Sequence, residues 1–424
     1  MNILAINPWI YDFAAYDFWL KPYGFLVLLT YFKKRGINIE YIDCLNKKET
    51  LDNFGRGKYY SEIISKPDIL KSVPRIFRRY GLRPQEFEKL LHSKKPDFIF
   101  ITSSMTYWYS AIEELTKTLK HCFPKTPIVL GGTYATLCYE HAKNNILYDC
   151  VFRNEDLEKF FKLLNIEFNY QEFYSTFPKY DYFYRQLDYV VFRTSWGCPF
   201  RCSYCAINKL FPDVFRIPKE KIIHYILKYY KRGIKNFVLY DDAFLYPLQD
   251  AKKLLKEIEK LKINVNFHTP NALHLRFLDQ EIANLLKRAG FVNPHFGLET
   301  LNPSLQEKWG DKVNTDDVIK GISFLKKGGF RNGQFSIYLL LGYPNQNLEH
   351  LKKEVEFLNS LGAKVSLAEF SPTPQTKIFQ DYKDKLNEPL LHNNSIFGFF
   401  SQDKLKDFYK IKNYTRTLNK KITQ

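Results

Sequence analysis

Three cysteines, Cys198, Cys202 and Cys205, stand close together in the run Trp196-Gly-Cys-Pro-Phe-Arg-Cys-Ser-Tyr-Cys-Ala. Their spacing is CxxxCxxC, with an aromatic ring, Tyr204, just before the last cysteine. Three thiolates on one short loop can hold three corners of a cubic [4Fe-4S] cluster. The fourth iron then takes no ligand from the motif and stays open to a chelating small molecule. Such a cluster is a reactive centre rather than an electron wire. Clustered cysteines also build zinc knuckles. Zinc sites, however, usually pair one CxxC with a second, or with histidines at short spacing. Here the closest downstream histidine is His224.

A reactive loop needs a rigid scaffold, and the surrounding pattern supplies one. Apolar runs predict strands at Tyr189–Arg193, Asn236–Tyr240, Asn264–His268, His295–Glu299, Gln334–Leu341 and Lys364–Phe370. Amphipathic stretches predict helices between them, at 219–231, 248–261, 279–289, 316–327 and 348–361. Strands alternating with helices in this way suit a partial (β/α)6 barrel. Barrel chemistry gathers at the C-terminal ends of the strands, and the cysteine loop follows the first of them.

The cysteine loop resembles the signature of the radical S-adenosylmethionine (radical SAM) enzymes. In that family the open iron binds the amino and carboxylate groups of SAM. An electron from the cluster then cleaves SAM to methionine and a 5′-deoxyadenosyl radical. The resemblance implies Cys198, Cys202 and Cys205 as cluster ligands, and Tyr204 near the adenine. Asp241 and Asp242 end the second barrel strand, where the family meets the SAM amino group; helix capping is the other role open to one of them. Glu299, in Phe296-Gly-Leu-Glu-Thr, matches a glutamate that faces the site. Arg276 is either a partner for the SAM carboxylate or cluster, or a surface residue. Gly342, in Ile337-Tyr-Leu-Leu-Leu-Gly-Tyr-Pro, would let the backbone approach the adenine. Cys44, Cys122, Cys138 and Cys150 lie in or beside apolar runs and read as structural thiols.

The first half reads as a second α/β unit. Residues 3–8, 37–43, 97–102, 127–130 and 150–152 are predicted strands, with helices at 22–35 and 110–123. This is a Rossmann-like, doubly wound parallel sheet, whose ligands bind at the C-terminal strand ends. It resembles the cobalamin-binding domain that precedes many radical SAM barrels. The matching residues are Thr102-Ser103-Ser104, Gly131-Gly132-Thr133 and the run from Asp149 to Glu155, strand ends beside which a flat corrin could lie. The Asp-x-His-x-x-Gly motif that supplies cobalt with a histidine is absent. Either cobalamin binds without that ligand, or the domain has kept the fold and lost the cofactor.

The expected organisation is therefore a cobalamin-binding-like domain over 1–160, an aromatic strap over 161–187, the radical SAM core over 188–375 and a helical extension over 376–424. Residues 46–95 are too long for an ordinary loop and read as an inserted helical excursion. Asp12 and Asp17, set among aromatics, would line a pocket or pack between domains. Glu388-Pro-Leu-Leu-His-Asn-Asn reads as a loop over the barrel mouth.

Composition bounds the partners. The 424 residues carry a net charge of +18, 45% apolar residues and seven cysteines. An odd cysteine count with three clustered argues for a reducing, cytoplasmic setting rather than a secreted disulfide framework. The N-terminus has no basic start of the signal-peptide kind, and no apolar run reaches membrane-span length. The lysines are scattered, so the charge favours exposed helices over a nucleic-acid partner. The expected partners are a small-molecule or peptide substrate and a reductant such as flavodoxin or ferredoxin. Cobalamin, if bound, would point to a methyltransferase. A tRNA or protein methylthiotransferase and a non-catalytic iron–sulfur or cobalamin sensor are the rival readings.

Overall fold

The computed structural model describes residues 1–45, 47–397 and 402–422. The chain divides into two compact units. Unit 1 holds Met1–Leu187, Lys209–Phe211 and Lys383–Asn393; unit 2 holds Asp188–Asn208, Pro212–Tyr382 and the chain from Asn394.

Unit 1 is built on five parallel strands: β1 (Asn2–Asn7), β2 (Asn38–Asp43), β3 (Phe98–Ser103), β4 (Ile128–Gly132) and β5 (Cys150–Val151). Ile3 to Ile6 and Ile99 to Ile101 are buried throughout, as expected of parallel strands covered on both faces. Helices α1 (Tyr23–Lys33) and α2 (Tyr109–Cys122) supply two crossovers. The sheet order is β5-β4-β3-β1-β2. The winding reverses between β1 and β3, and doubly wound folds open their ligand crevice at such a reversal.

The 46–95 insertion is not a helical excursion. It contributes short antiparallel strands and, among the described residues, one α-helix, Pro84–Leu91. Gly57–Tyr59 pairs with Tyr16–Asp17, and Arg78–Tyr80 pairs with Ile10–Asp12. Tyr59 and Tyr80 pack with Ile10, Ala15 and Leu45 in a small core of their own. Aromatic side chains fit a pleated surface, and here that preference outweighed helical spacing.

The aromatic stretch after residue 160 folds inside unit 1. Phe161 is fully buried against α1, its ring 5.3 Å from both Tyr31 and Phe32 and 4.8 Å from Phe168. Phe161→Ala is expected to cost about 3–5 kcal/mol, because a large ring leaves a cavity that its neighbours only partly fill. Urea unfolding of the full chain measures it; a loss below ~1 kcal/mol would mean the cluster is not core.

Residues 388–393 pack within unit 1. Tyr109 donates to Glu388 at 2.8 Å, Asn393 donates to Asp12 at 2.9 Å, and His392 shares a hydrogen bond with Thr106 at 3.0 Å. Asp12 is thus a buried internal anchor, held also by the Trp108 indole N–H at 2.7 Å.

Unit 2 follows the predicted alternation closely. Its main elements are β6 (Tyr189–Phe192), α3 (Lys219–Lys231), β7 (Asn236–Leu239), α4 (Leu248–Lys260), β8 (Asn266–His268), β9 (Leu273–His274), α5 (Gln280–Ala289), β10 (His295–Glu299), α6 (Thr315–Lys327), β11 (Ser336–Leu341), α7 (Leu348–Ser360), β12 (Lys364–Glu369) and α8 (Gln402–Lys421). All barrel strands are parallel, in the orders β6-β7-β8 and β9-β10-β11-β12, with a bridge between Phe267 and Phe291. The helix starts explain themselves: Asp279, Asn314 and Asn347 cap α5, α6 and α7 with side-chain acceptors. The strand β9 was not expected from sequence. It is only two residues long and has no periodicity to read. The helix α8 closes the barrel edge, where Asn419 exchanges hydrogen bonds with the backbone of Val365 at 2.8 and 2.9 Å.

Candidate functional site

The cysteine loop leaves β6 through Arg193-Thr-Ser-Trp, and the carboxylates that end β7 fix that exit. Asp241, 3% exposed, accepts hydrogen bonds from the Thr194 and Ser195 amides at 2.9 Å and from their hydroxyls at 2.5 and 2.9 Å. Burial pushes its carboxyl up, and these donors oppose the shift. Asp242 pairs with Arg193 and accepts the Gly197 amide. Both carboxylates therefore act on the loop that carries the cysteines. Arg193 lies over the Trp196 ring at 5.0 Å. Ser195–Trp196 then pairs antiparallel with Phe215–Arg216, forming a two-stranded ribbon just before Cys198.

All three cysteines are free; Cys198 and Cys202 are half-buried and Cys205 is exposed. Burial pushes the Cys198 thiol up to about 12, and the neighbouring sulfurs of Cys205 and Cys202 add to it. The three sulfurs thus feel one another without being bonded. Among the described residues, no three His, Cys, Asp or Glu side chains converge on a point that one ion could fill. A cubane places no such demand, because its cysteines bind three different irons.

A second loop, 309–312, packs against the first. The Ser203 amide donates to the Trp309 carbonyl at 3.3 Å, and Tyr204 meets the Trp309 ring edge-on at 5.7 Å. The Tyr204 hydroxyl hydrogen-bonds the Cys202 sulfur, and burial, chiefly, raises its pKa. Gly310 has φ +112°, and a Cβ there would lie 3.3 Å from Cys202 Cα. Only glycine gives both that backbone and that approach.

The loop also delivers Lys312, which sequence reading missed. Its ammonium lies 2.9 Å from Glu299 Oε1, and each side chain is 15% exposed. Burial alone would lower the Lys312 pKa; the Glu299 carboxylate and the sulfurs of Cys202 and Cys205 raise it overall. Two backbone features make room for the pair. The register between β10 and β11 slips after Gly297, and Glu299 sits at φ +69°. A side chain on Gly297 would come within 2.9 Å of Lys312 Nζ. A left-handed glutamate is uncommon, and such strain concentrates at functional positions. The glycine in Phe296-Gly-Leu-Glu was the available signal for a lysine overhead.

His274 is the other residue the sequence did not flag. It is 5% exposed, stacks on Phe200 of the cysteine loop at 4.9 Å, and its Nδ1 makes no hydrogen bond. Burial holds the imidazole neutral, with a pKa down to about 3, and Lys312 and Arg276 push the same way. Arg276 itself faces Asp311 at 3.4 Å and Asp317 at 3.5 Å, so its charge is already matched by two carboxylates. Gly342 follows β11 at φ +89°, with its amide donating to Gln346 Oε1 at 2.6 Å.

In unit 1 the strand-end residues named for a corrin are largely engaged by the chain itself. Ser103 Oγ donates to the Gly131 carbonyl at 2.7 Å and accepts from the Ala135 amide at 3.1 Å. A Cβ on Gly131 would strike the Phe152 ring at 2.5 Å, and one on Gly132 would strike the Ser103 carbonyl at 2.3 Å. These glycines serve close packing of β3, β4 and the residues that follow them. Thr102 and Thr133 remain half-buried at the same strand ends.

The comparisons with known proteins bear on this barrel and its cysteine loop. Residues 193–358 match the family model described as the Radical SAM superfamily. Those residues, which span most of the barrel of unit 2, carry a radical SAM domain. It is similar to an uncharacterized methyltransferase of Pyrococcus horikoshii, 22% identical over 70% of this chain and 71% of that protein. It is also similar to the threonylcarbamoyladenosine tRNA methylthiotransferase of Aquifex aeolicus, 22% identical over 50% of this chain; the match spans about half, 53%, of that relative. In fold it resembles the radical SAM methyltransferase TsrM from Kitasatospora setae, solved with cobalamin and a [4Fe-4S] cluster. The TM-score is 0.68 at 14% identity, over 97% of this chain and 90% of that one. Among the described residues, no helix is long and apolar enough to cross a membrane.

Proposed function

We propose that this chain is a radical SAM methyltransferase, with a [4Fe-4S] cluster on Cys198, Cys202 and Cys205. The observation that carries the reading is the juxtaposition of those sulfurs with the Lys312–Glu299 pair. Held there, a cluster would supply the electron for reductive cleavage of SAM. Lys312 and Glu299 offer one cation and one anion beside the sulfurs, matching the carboxylate and ammonium of SAM. Asp241 and Asp242 hold the loop exit rather than the ligand. Tyr204, bonded to Cys202, fixes one sulfur, and the left-handed turn at Gly342 keeps the end of β11 open to the adenine.

The reading extends to cobalamin through the two-unit fold that this chain shares with TsrM. Bound cobalamin would supply methyl carriage. The fit is partial: Thr102 and Thr133 remain for the corrin, whereas Ser103, Gly131 and Gly132 are spent on packing. The electron would come from a flavodoxin or ferredoxin in the cytoplasm, and the substrate would be a small molecule or peptide.

Protein purified without oxygen from cobalamin-fed cells is expected to contain about four irons per chain and stoichiometric cobalt. On reduction with SAM it should yield 5′-deoxyadenosine or S-adenosylhomocysteine. Iron without cobalt would remove the cobalamin reading and leave the cluster. Zinc in place of iron would overturn the whole proposal. A second cubane would favour the methylthiotransferase.

A further inference from the structure

Unit 2 contains a cavity of about 230 Å³ between β6, the ribbon and the first turns of α3 and α4. Its polar side is basic: Arg216, Lys219 and Lys253 face one carboxylate, Asp250. Its other wall is apolar, formed by Ile222, Phe244 and Leu254, all buried. Arg216 Nη2 is sealed from solvent and makes no hydrogen bond, while Arg216 Nε is 3.9 Å from Asp250, the loose limit of an ion pair. A buried guanidinium nitrogen without an acceptor is costly, and such groups mark a missing partner. Helices α3 and α4 both start at this cavity, and neither has a side-chain N-cap, so their positive ends add to the field.

We propose that this cavity binds a small organic anion. A carboxylate or phosphate group would sit on Arg216 with Lys253 and Lys219 beside it, and an apolar body would rest against Ile222, Phe244 and Leu254. Arginine suits the role because its planar fork matches either oxyanion with two hydrogen bonds. The position also links occupancy to the cysteine loop. Arg216 stands opposite Ser195 in the ribbon, and the Ile217 amide donates to the Thr194 carbonyl at 2.9 Å. Thr194 and Ser195 are the residues that Asp241 anchors, so a bound anion would stiffen the approach to Cys198.

Calorimetric titration of the full chain with benzoate, phenyl phosphate and neutral benzyl alcohol tests the site. Benzoate or phenyl phosphate should bind at one per chain, the tighter of the two identifying the head group, and benzyl alcohol at least about tenfold more weakly. Arg216→Gln should weaken the tighter anion about tenfold or more. Lys253→Gln changes an exposed residue and cannot disturb the core; it should weaken the same anion about threefold. Unfolding curves establish that each variant is folded. Equal binding of the alcohol, unchanged anion binding in a folded variant of either kind, or no saturable binding of either anion would overturn the proposal.

Discussion

Cys202→Ala is expected to bring the iron content close to zero and to reduce 5′-deoxyadenosine formation to background. The loss should be at least about a hundredfold, since mere supporting residues around a metal site already cost 10–100-fold. Cys202 is the sulfur most enmeshed in the site: Tyr204 bonds it, Lys312 acts on it electrostatically, and Gly310 packs on its backbone. The apo-protein should keep its stability, because the thiol is half-buried rather than core. Cys150→Ala, in β5 of the other unit, is the control and should keep full iron. Iron assay and anaerobic turnover read both variants; retention of iron and activity in Cys202→Ala would remove the cluster from this loop.

Asp241→Ala should be the most damaging single change outside the cysteines. It strips the acceptor from two amides and two hydroxyls at the exit from β6. Each buried donor left unpaired costs about 1–3 kcal/mol, and partial relaxation makes about 3–5 kcal/mol a reasonable sum. Denaturant unfolding of the metal-free protein measures this without reference to catalysis. A variant with unchanged stability but weakened SAM affinity would reverse the assignment and make Asp241 a ligand. Asp242→Asn offers a milder comparison: it weakens the Arg193 pair but leaves an acceptor for the Gly197 amide.

The barrel was legible because its strands are apolar runs and three of its helices, α5, α6 and α7, carry polar caps at their starts. Asp279, Asn314 and Asn347 mark helix beginnings in sequence as clearly as they do in space. The cysteine loop was legible for the same local reason: all three cysteines fall within eight residues. What could not be read were contacts between distant segments. The strands of the 46–95 insertion find partners at 10–12 and 16–17, and a two- or three-residue strand has no period of its own. Lys312 joins Glu299 across a loop, and no motif surrounds it. Ser103 and the Gly131-Gly132 pair had the right chemistry for a corrin, but small residues serve tight packing equally well. The sequence offers no means of telling the two apart.

The path of the chain has a consequence for how such a protein can be inherited or engineered. Residues 388–393 come from beyond the barrel yet complete the hydrogen bonding of Asp12, Thr106 and Tyr109. A fragment ending at Leu187 would carry the five-stranded sheet but lack those partners, and its buried Asp12 would lose one of its donors. The first half is therefore not a cassette that recombination could lift out and splice onto another barrel. It would have to travel with its own C-terminal stretch, so the two halves of the gene are bound to change together.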